Sequence, residues 1–268
     1  VIAEAFKEFS RSHLQKLIKE GAVKVNGKEI KPKFTLQGNE FIEILAEESP
    51  QLKDKPEKID IDIIYEDRDL LVVNKDSGLV VHPGAGNPSG TLVNGLINFD
   101  SSLVYLPRAG IVHRLDKGTS GLMVVSRNEK TYLNLISQLK ERTVTRKYTA
   151  LVVGETSLSG VINKPIGRHP KVRTKQAVVK SGREAITRFK LIERLSGYSL
   201  LEVSLETGRT HQIRVHLSYL GFPIIGDSVY GGRKKYAKGS SEKVRNNINQ
   251  IRRQALHASS LTFTHPSS

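Results

Sequence analysis

The sequence has 268 residues, which is long enough for one large domain or two unequal ones. It holds 42 Lys and Arg against 27 Asp and Glu, a formal net charge of +15. It has no cysteine, so disulfides and cysteine-ligated metal sites are excluded. No apolar run reaches the roughly 18 residues that a membrane span needs, and the start carries no signal-peptide pattern. We therefore expect a soluble, cytoplasmic protein with no membrane partner.

The first 58 residues predict a small appended module and a linker. Residues 10–21 have the spacing of a short helix, residues 23–30 form a hairpin pattern around an Asn-Gly turn, and residues 40–44 alternate polar and apolar. Such a unit is too short for a strong core of its own, so we expect a module over 1–48. Residues 49–58, rich in proline and charge, predict a linker to a larger domain over 59–268.

The larger domain mixes strands and helices without regular βαβ alternation. Strands are predicted at 61–65, 70–74, 146–153, 186–191 and 199–205, and helices at 90–97, at 130–140 and after Thr210, which is a suitable cap. This order favours an α+β fold with a mixed, largely antiparallel central sheet and flanking helices.

The stretch from Gly110 to Val125 has the clearest chemical content. Apolar β-branched pairs on both sides predict two strands joined by an irregular polar turn. At its apex Asp116 lies between Arg114 and Lys117, and neighbouring cations favour an ionised carboxylate. Such an aspartate can attack an electrophile or stabilise a developing cation, but it is poorly suited to donate a proton. In isolation Asp116 could equally be a turn-capping residue.

The positive charge is concentrated in two blocks. Residues 140–188 hold twelve basic and three acidic residues, and residues 233–253 hold eight basic and one acidic. Charge that serves only solubility would be interspersed, so the blocks indicate binding of a polyanion, most simply a nucleic acid. Within the first block, residues 161–183 contain seven basic residues and no acidic ones. They predict a basic loop or ribbon that follows a nucleic-acid backbone.

Several other chemistries lack their residues. No Gly-x-Ser-x-Gly segment is present, so the usual serine hydrolase elbow is missing. The histidines are scattered, and His211 and His216 are five apart, which does not place them on one helical face as a metal pair. We expect no metal site and no cofactor.

Long segments of the chain resemble a known family. The matching segments are Val81-His82-Pro83-Gly84, His113-Arg114-Leu115-Asp116-Lys117, Thr119-Ser120-Gly121-Leu122, Arg146-Lys147-Tyr148, Gly208 to His216, Gly226-Asp227, Tyr230-Gly231-Gly232 and Leu256-His257-Ala258. Together they resemble the RluA/RluD-type pseudouridine synthases that modify ribosomal RNA, and Arg168-His169-Pro170 is similar to the RluD branch. Residues 10–27 resemble the RNA-binding module first described in ribosomal protein S-four.

The resemblance implies a function and a site. The expected activity is isomerisation of specific uridines in large-subunit (23S) ribosomal RNA to pseudouridine, by base flipping and without a cofactor. Asp116 matches the catalytic aspartate, and Arg209 the arginine that pairs with it. Tyr148 matches the catalytic tyrosine that stacks on uracil and can also help to move the carbon 5 proton. Arg114 matches the residue that fills the space left by the flipped base.

The resemblance and the charge of the basic ribbon together indicate RNA contacts and partners. In the N-terminal module the candidates are Arg11, Ser12, Lys16, Lys19 and Lys24, and in the basic ribbon they are Arg168, Lys171, Arg173 and Lys175. The expected partner is large-subunit ribosomal RNA or a pre-ribosomal particle, bound by a monomer. The start of the module is expected to be either trimmed or degenerate. The chain stops at Ser268, short of the closing strand and helix that the resemblance implies, so we expect either a truncated or a disordered tail. Gly118 stands where an acidic residue is common.

Alternatives remain open for the individual residues and for the whole. Tyr148 could be an ordinary core residue of a strand, and Arg209 could cap a turn. A ribosome-assembly factor could retain the scaffold without chemistry, and a glycosylase could use the same base flipping to release free uracil.

Overall fold

The computed structural model describes residues 2–6, 11–45, 54–84, 86–232 and 236–267, with the side chains of residues 3, 4, 11–13 and 16 outside that description. The helices are α1 (Ile2–Ala5), α2 (Arg11–Lys19), α3 (Leu92–Phe99), α4 (Glu129–Lys140), α5 (Gln212–Tyr219) and α6 (Glu242–Gln250). The first strands are β1 (Val23–Val25), β2 (Lys28–Glu29), β3 (Ile42–Ile44), β4 (Asp62–Glu66), β5 (Leu70–Lys75) and β6 (Ser120–Ser126). They are followed by β7 (Thr145–Val153), β8 (Ser159–Asn163), β9 (Ile166–Arg168), β10 (Gln176–Val178), β11 (Ile186–Leu195), β12 (Tyr198–Leu205) and β13 (Leu256–Thr262).

The N-terminal module is a helix followed by a three-stranded antiparallel sheet. The strand order is β2-β1-β3, and Leu14 and Leu17 of α2 are buried together with Val23 of β1. Asn26 and Gly27 both have positive φ, 49° and 77°, as a two-residue hairpin turn of the primed type requires. The predicted helix, hairpin and third strand are confirmed.

The larger domain is built on one eight-stranded sheet with the order β4-β5-β6-β13-β7-β12-β11-β8. Among the described strands of this sheet, β6 and β13 pair in parallel, and the other neighbours pair antiparallel. The main core lies on this sheet, where Val73, Met123, Ala150 and Leu201 contact the buried residues of α3 and α5. The predicted mixed, largely antiparallel α+β fold is confirmed.

Part of the predicted linker is attached to the larger domain. The Glu57 carboxylate accepts the Gly90 N–H at 3.1 Å, and the Asn94 amide donates to the Lys55 carbonyl at 2.8 Å. Residues 54–58 therefore run along the start of α3, while residues 46–53 lie outside the described residues.

The basic ribbon is a separate two-stranded sheet, β9 paired with β10. Ile166 at its base packs with Ala185 and with Val215 of α5. Lys175, between the strands, donates its ammonium to the Val229 carbonyl at 2.9 Å. The ribbon is thus anchored beside α5, which also carries residues of the site described below.

Two local predictions are wrong, and both lie near the site. Residues 111–112 are no strand beyond one isolated bridge from Ile111 to Val125. They follow a left-handed turn in which Arg108, Ala109 and Gly110 have φ of 55°, 52° and 75°. A Cβ at position 110 would lie 2.0 Å from the Ser126 carbonyl oxygen, so only glycine fits there.

Helix α5 is capped differently from the prediction. Its N-cap is His211, with φ of 58°, and not Thr210. The His211 side chain makes no capping hydrogen bond to the helix backbone, so its ring is available to other partners.

The C-terminal residues are held to the turn between β4 and β5. His265 Nε2 lies 2.9 Å from Asp67 Oδ2, and the Ser267 hydroxyl donates to Asp69 Oδ2 at 2.6 Å. Burial alone would raise the pKa of Asp67, but hydrogen bonds from the Leu70 and Asp69 backbone lower it to about 2. These side chains are close enough to ligate a cation together. Hydrogen-bond donors of the protein already bind the carboxylate oxygens of Asp67 and Asp69. The cluster therefore attaches the C-terminal residues to the turn between β4 and β5. No helix within the described ranges is both long and apolar enough to cross a membrane.

Candidate active site

Asp116 lies in the turn between Gly110 and β6, in a cleft of about 960 Å³. The same cleft is lined by Arg114 from this turn, by Tyr148 from β7 and by Arg214 from α5. A carboxylate, an aromatic ring and several guanidinium groups therefore converge on one open space. Cavities of this kind, with a few polar groups directed into them, are typical of binding and catalytic sites.

A buried lysine fixes the turn that carries Asp116 through hydrogen bonds to backbone carbonyls. Lys75 is 1% exposed, and its ammonium donates to the carbonyls of Asp76 at 2.6 Å, Leu79 at 2.9 Å and Lys117 at 3.4 Å. Burial lowers the pKa of Lys75 to about 8. The backbone carbonyl next to Asp116 is thus fixed to the interior of the domain.

The residue before Arg114 fixes the same turn to β6. His113 Nε2 accepts the Val124 N–H at 3.1 Å, which requires a neutral ring with that nitrogen unprotonated. Burial, reinforced by the nearby Arg146 charge, lowers the pKa of His113 to about 3. His113 therefore acts as a neutral hydrogen-bond acceptor throughout the physiological pH range.

Arg214 joins Asp116 to a second, fully buried carboxylate. Its Nη1 donates to Asp116 Oδ2 at 2.9 Å, and its Nε and Nη2 donate to the two oxygens of Asp227 at 2.7 and 3.0 Å. The backbone N–H groups of Val229 and Tyr230 also donate to Asp227. Burial alone would lower the pKa of Arg214, but the hydrogen bonds and charges of Asp227 and Asp116 raise it. The guanidinium is thus a fixed cation that aims the Asp116 carboxylate.

His211 faces Asp116 from the other side. Its Nδ1 lies 2.7 Å from the Tyr230 hydroxyl, which accepts the Gln176 N–H at 2.9 Å, and its Nε2 lies 3.9 Å from Asp116 Oδ1. When the Tyr230 hydroxyl donates to Nδ1, the ring proton lies on Nε2. Burial lowers the pKa of His211 despite the attraction of Asp116. In that tautomer the neutral imidazole presents its Nε2–H towards Asp116.

Tyr148 lies on β7 at the centre of the sheet and is 6% exposed. Burial raises the pKa of its hydroxyl to about 12, with Arg146 opposing the shift and Asp116 adding to it. At neutral pH the side chain is therefore an uncharged phenol that can donate a proton in a hydrogen bond but does not accept one as a base.

A second, basic pocket of about 410 Å³ opens beside the cleft. It is bordered by Arg168 of the ribbon, by Arg183 and by Arg209, and Arg209 also lines the main cleft. Among the described residues, no carboxylate forms an ion pair with any of these three arginines. Unpaired guanidinium groups in a pocket favour an anionic ligand such as phosphate.

The sequence decides which family this site belongs to. The model of the family described as RNA pseudouridylate synthase matches residues 69–219, which is more than half of the chain. The chain belongs to the RNA pseudouridylate synthase family. It is therefore an RNA pseudouridine synthase, an isomerase, and residues 1–42 of this synthase match the S4 domain model.

Curated relatives of the synthase cover almost all of its chain. It is 48% identical over 266 residues to "Ribosomal large subunit pseudouridine synthase D" of Xanthomonas campestris pv. campestris, covering 99% of this chain and 80% of the relative. The protein of the same name from Escherichia coli is 44% identical, with 99% and 82% covered. Among solved structures, "Human RNA Pseudouridylate Synthase Domain Containing 1" has a TM-score of 0.61 at 27% identity, with 78% of this chain and 80% of that chain covered.

The geometry corrects one predicted contact of the synthase. Arg209 was expected to pair with Asp116, but its Nε donates to the Glu184 carbonyl at 3.0 Å, and the ion pair to Asp116 comes from Arg214. The reason lies in the helix start. Arg209 precedes α5 in the loop where the Gln212 side chain accepts its backbone N–H, whereas Arg214 is on the first turn of α5, facing the cleft.

The predicted RNA contacts fall into three groups. Arg114, Arg168, Lys171 and Arg173 have exposed side chains, as does Lys19, and Lys24 is half-exposed. Lys175 is partly engaged, since its ammonium is bonded to the Val229 carbonyl. The side chains of Arg11, Ser12 and Lys16 lie outside the described residues.

Sequence reasoning assigned no role to four residues that shape the site. They are Arg214, Asp227, His211 and Tyr230. All four stand in segments that carried the family resemblance, Gly208 to His216, Gly226-Asp227 and Tyr230-Gly231-Gly232. The signal was therefore present, but which arginine of the segment reaches Asp116 depends on where α5 begins.

Proposed function

We propose that this synthase converts specific uridines of large-subunit (23S) ribosomal RNA to pseudouridine, with Asp116 as the catalytic residue. The printed names of the relatives specify the large ribosomal subunit, which supports this substrate. The observation that carries the proposal is the Asp116 carboxylate, fixed by Arg214 at 2.9 Å inside a basic cleft. An isomerisation needs neither a redox partner nor an energy source, so the proposed reaction uses no cofactor.

In the proposed reaction the uracil is detached from its ribose, turned and rejoined through carbon 5. Arg214 occupies Asp116 Oδ2, so Oδ1 is the oxygen available to the substrate. That oxygen can attack covalently, or it can take a ribose proton in an elimination that forms a glycal. Both routes need an ionised carboxylate held in a fixed direction, and the fork of Arg214 between Asp116 and Asp227 supplies that direction.

We propose that Tyr148 stacks on the flipped uracil and that Arg114 enters the space the base leaves. Flipping a base costs a few kcal/mol, and a planar guanidinium can recover part of it by stacking. The exposure of Arg114 at the cleft supports this role. With a pKa of about 12, Tyr148 is a phenol at neutral pH, so we assign it stacking and not removal of the carbon 5 proton.

The remaining RNA is proposed to run from the cleft over the ribbon. The pocket between Arg168, Arg183 and Arg209 fits a phosphate. We therefore assign Arg209 to binding the RNA and not to pairing with Asp116. The N-terminal module supplies a further contact surface through Lys19 and Lys24. We propose that the synthase acts as a monomer on ribosomal RNA or a pre-ribosomal particle in the cytoplasm, where bacteria assemble ribosomes.

Removing two ribbon cations should weaken RNA binding and reduce its salt dependence. In Lys171→Ala/Arg173→Ala we expect the slope of log K against log salt to fall by roughly 1 to 2, because each lost phosphate contact contributes about 0.7 to 0.9. Filter binding of a large-subunit RNA fragment across a salt series measures the slope. Lys130→Ala/Lys190→Ala removes two exposed cations outside the ribbon and is the matched control. An unchanged slope in the ribbon variant would show that Lys171 and Arg173 make no phosphate contacts.

One assay tests the proposed function against its alternatives. Unmodified large-subunit ribosomal RNA is incubated with the synthase, digested to nucleosides and analysed by mass spectrometry, with small-subunit RNA as the control substrate. We expect pseudouridine at one or a few sites of the large-subunit RNA only. Release of free uracil would indicate a glycosylase, and unchanged RNA bound by the protein would indicate an assembly factor.

A further inference from the structure

The cleft contains a guanidinium group without a counter-charge. Arg146 lies on β7, two residues before Tyr148, so both side chains project from the same face of the strand. Its Nε is buried and has no hydrogen-bond partner, and within the described ranges no carboxylate pairs with it. Burial lowers the pKa of Arg146, with Tyr148 opposing the shift. Unpaired buried charges are costly, so one that is kept in a cleft points to a ligand.

The surroundings of Arg146 keep the guanidinium in place and uncompensated. Arg146 lines the same cleft as Asp116 and Tyr148. A Cβ at Gly208 would lie 2.9 Å from Arg146 Nη1, so glycine leaves room for the group. His113, whose pKa Arg146 lowers, is a neutral neighbour. Among the described residues no carboxylate pairs with Arg146, and its guanidinium shares the cleft with the Tyr148 ring.

We propose that Arg146 is a catalytic residue that binds a carbonyl oxygen of the flipped uracil and stabilises the uracil anion formed when the base leaves the ribose. This inference rests on the proposed function. Phosphate is the other possible ligand. The exposed guanidinium groups of Arg114, Arg168 and Arg183 suit phosphate, whereas Arg146 is half-buried and lines the cleft together with Tyr148 and Asp116. A flipped base stacked on Tyr148 would enter this part of the cleft.

The chemical step gives Arg146 a defined task. The bond from ribose carbon 1′ to uracil N1 breaks, and its electron pair stays on the uracil, where the negative charge spreads over N1 and the carbonyl oxygens. The ribose carbon regains a pair from the Asp116 oxygen, or from the C2′–H bond when Asp116 takes that proton. Carbon 5 of the uracil then bonds to carbon 1′ while the bond from carbon 1′ to the Asp116 oxygen breaks or, on the glycal route, while Asp116 returns its proton to carbon 2′. Carbon 5 releases its proton to water, and N1 takes a proton from water. Arg146 transfers no proton, and it lowers the energy of the anion in between.

Arg146→Gln should slow glycosidic cleavage by about 10² to 10³-fold, the usual effect of losing one donor to a developing anion. RNA affinity should stay within about threefold, because the contact is made mainly after the bond breaks. The decisive measurement is the single-turnover rate of glycosidic cleavage, compared between RNA with uridine and RNA with 5-fluorouridine at the target position. Fluorine stabilises the uracil anion itself, so the defect of the variant should shrink at least about tenfold on this substrate.

Controls separate this role from a structural one. Arg68→Gln, which removes an exposed surface arginine that does not line the cleft, should leave both rates unchanged. Arg146→Lys keeps the positive charge and the aliphatic part of the side chain. It is measured in place of Arg146→Gln if the glutamine variant does not fold. Equal defects on uridine and 5-fluorouridine, a loss confined to RNA affinity, or no loss at all would each overturn the proposal. If the wild-type protein makes no pseudouridine, the proposed function fails instead.

Discussion

Asp116→Asn is expected to abolish pseudouridine formation, with the single-turnover rate reduced on the order of 10⁴-fold or more, the usual cost of removing the residue that carries the bond change. The amide keeps the shape of the side chain but can neither attack nor take a proton. Arg214 stays in place because both oxygens of Asp227 still hold it. RNA affinity and thermal stability should therefore stay close to wild type. Release of tritium from carbon 5 of labelled uridine in large-subunit RNA measures the rate.

The control for this variant is Asp60→Asn, which neutralises an exposed carboxylate away from the cleft. It should retain full activity. If Asp116→Asn keeps turnover within a few fold of wild type, Asp116 is not the catalytic residue. If both turnover and RNA binding are lost while the control is normal, the role of Asp116 is to shape the RNA surface.

The architecture was predictable where local pattern and chain order agreed. The Asn26-Gly27 turn, the helix after the glycines at 84–90 and the paired strands 186–191 and 199–205 all follow short-range rules, and all are present. The absence of βαβ alternation correctly indicated a largely antiparallel sheet. The parallel pairing of β6 with β13 joins residues about 137 positions apart, as in the contact of Ser120 with His257, and no local pattern encodes it.

The site was predictable as a set of segments but not as a set of contacts. Asp116, Tyr148 and Arg209 do line one cleft. The identity of the partner of Asp116 was missed because it depends on the left-handed residue His211, which delays the start of α5 past Thr210. A left-handed histidine has no sequence signature of the kind that glycine provides. Its ring also bonds Tyr230, a residue whose position depends on the tertiary fold.

Gly118 stands where the family resemblance led us to expect an acidic residue. In the structure the space beside Gly118 is occupied by another side chain. A Cβ at this position would lie 2.3 Å from the Gln254 amide oxygen, and the Gln254 amide nitrogen donates to the Thr119 hydroxyl at 3.1 Å. Gln254 thus fills the space that a side chain at 118 would need. The loop that carries Asp116 is braced by this contact from the C-terminal side and by Lys75 from the other.

Arg214→Met is expected to lose both activity and stability. Asp227 has no exposed side-chain surface, and without the guanidinium its charge is buried with only two backbone donors. Breaking a buried ion pair in this way costs about 3–5 kcal/mol of the free energy of unfolding. Urea denaturation at neutral pH measures that loss. Burial alone would raise the pKa of Asp227, but the hydrogen bonds and charge of Arg214 lower it below 3.8. The pairing therefore stabilises the fold above pH 3.8, and this contribution is lost as the pH falls through the lowered pKa. The difference between the two proteins should therefore narrow in acid.

A second substitution separates the loss of stability from the loss of activity. Asp227→Asn in the Arg214→Met background removes the unpaired charge but keeps an oxygen for the Val229 and Tyr230 N–H groups. It should restore on the order of 2 kcal/mol of stability. Activity should stay at least about 10²-fold below wild type, because Asp116 still lacks the cation that aims it. The surface variant Arg188→Met, which breaks an exposed pair, should cost under about 1 kcal/mol. If the double variant recovers activity along with stability, Arg214 serves the fold and not the orientation of Asp116.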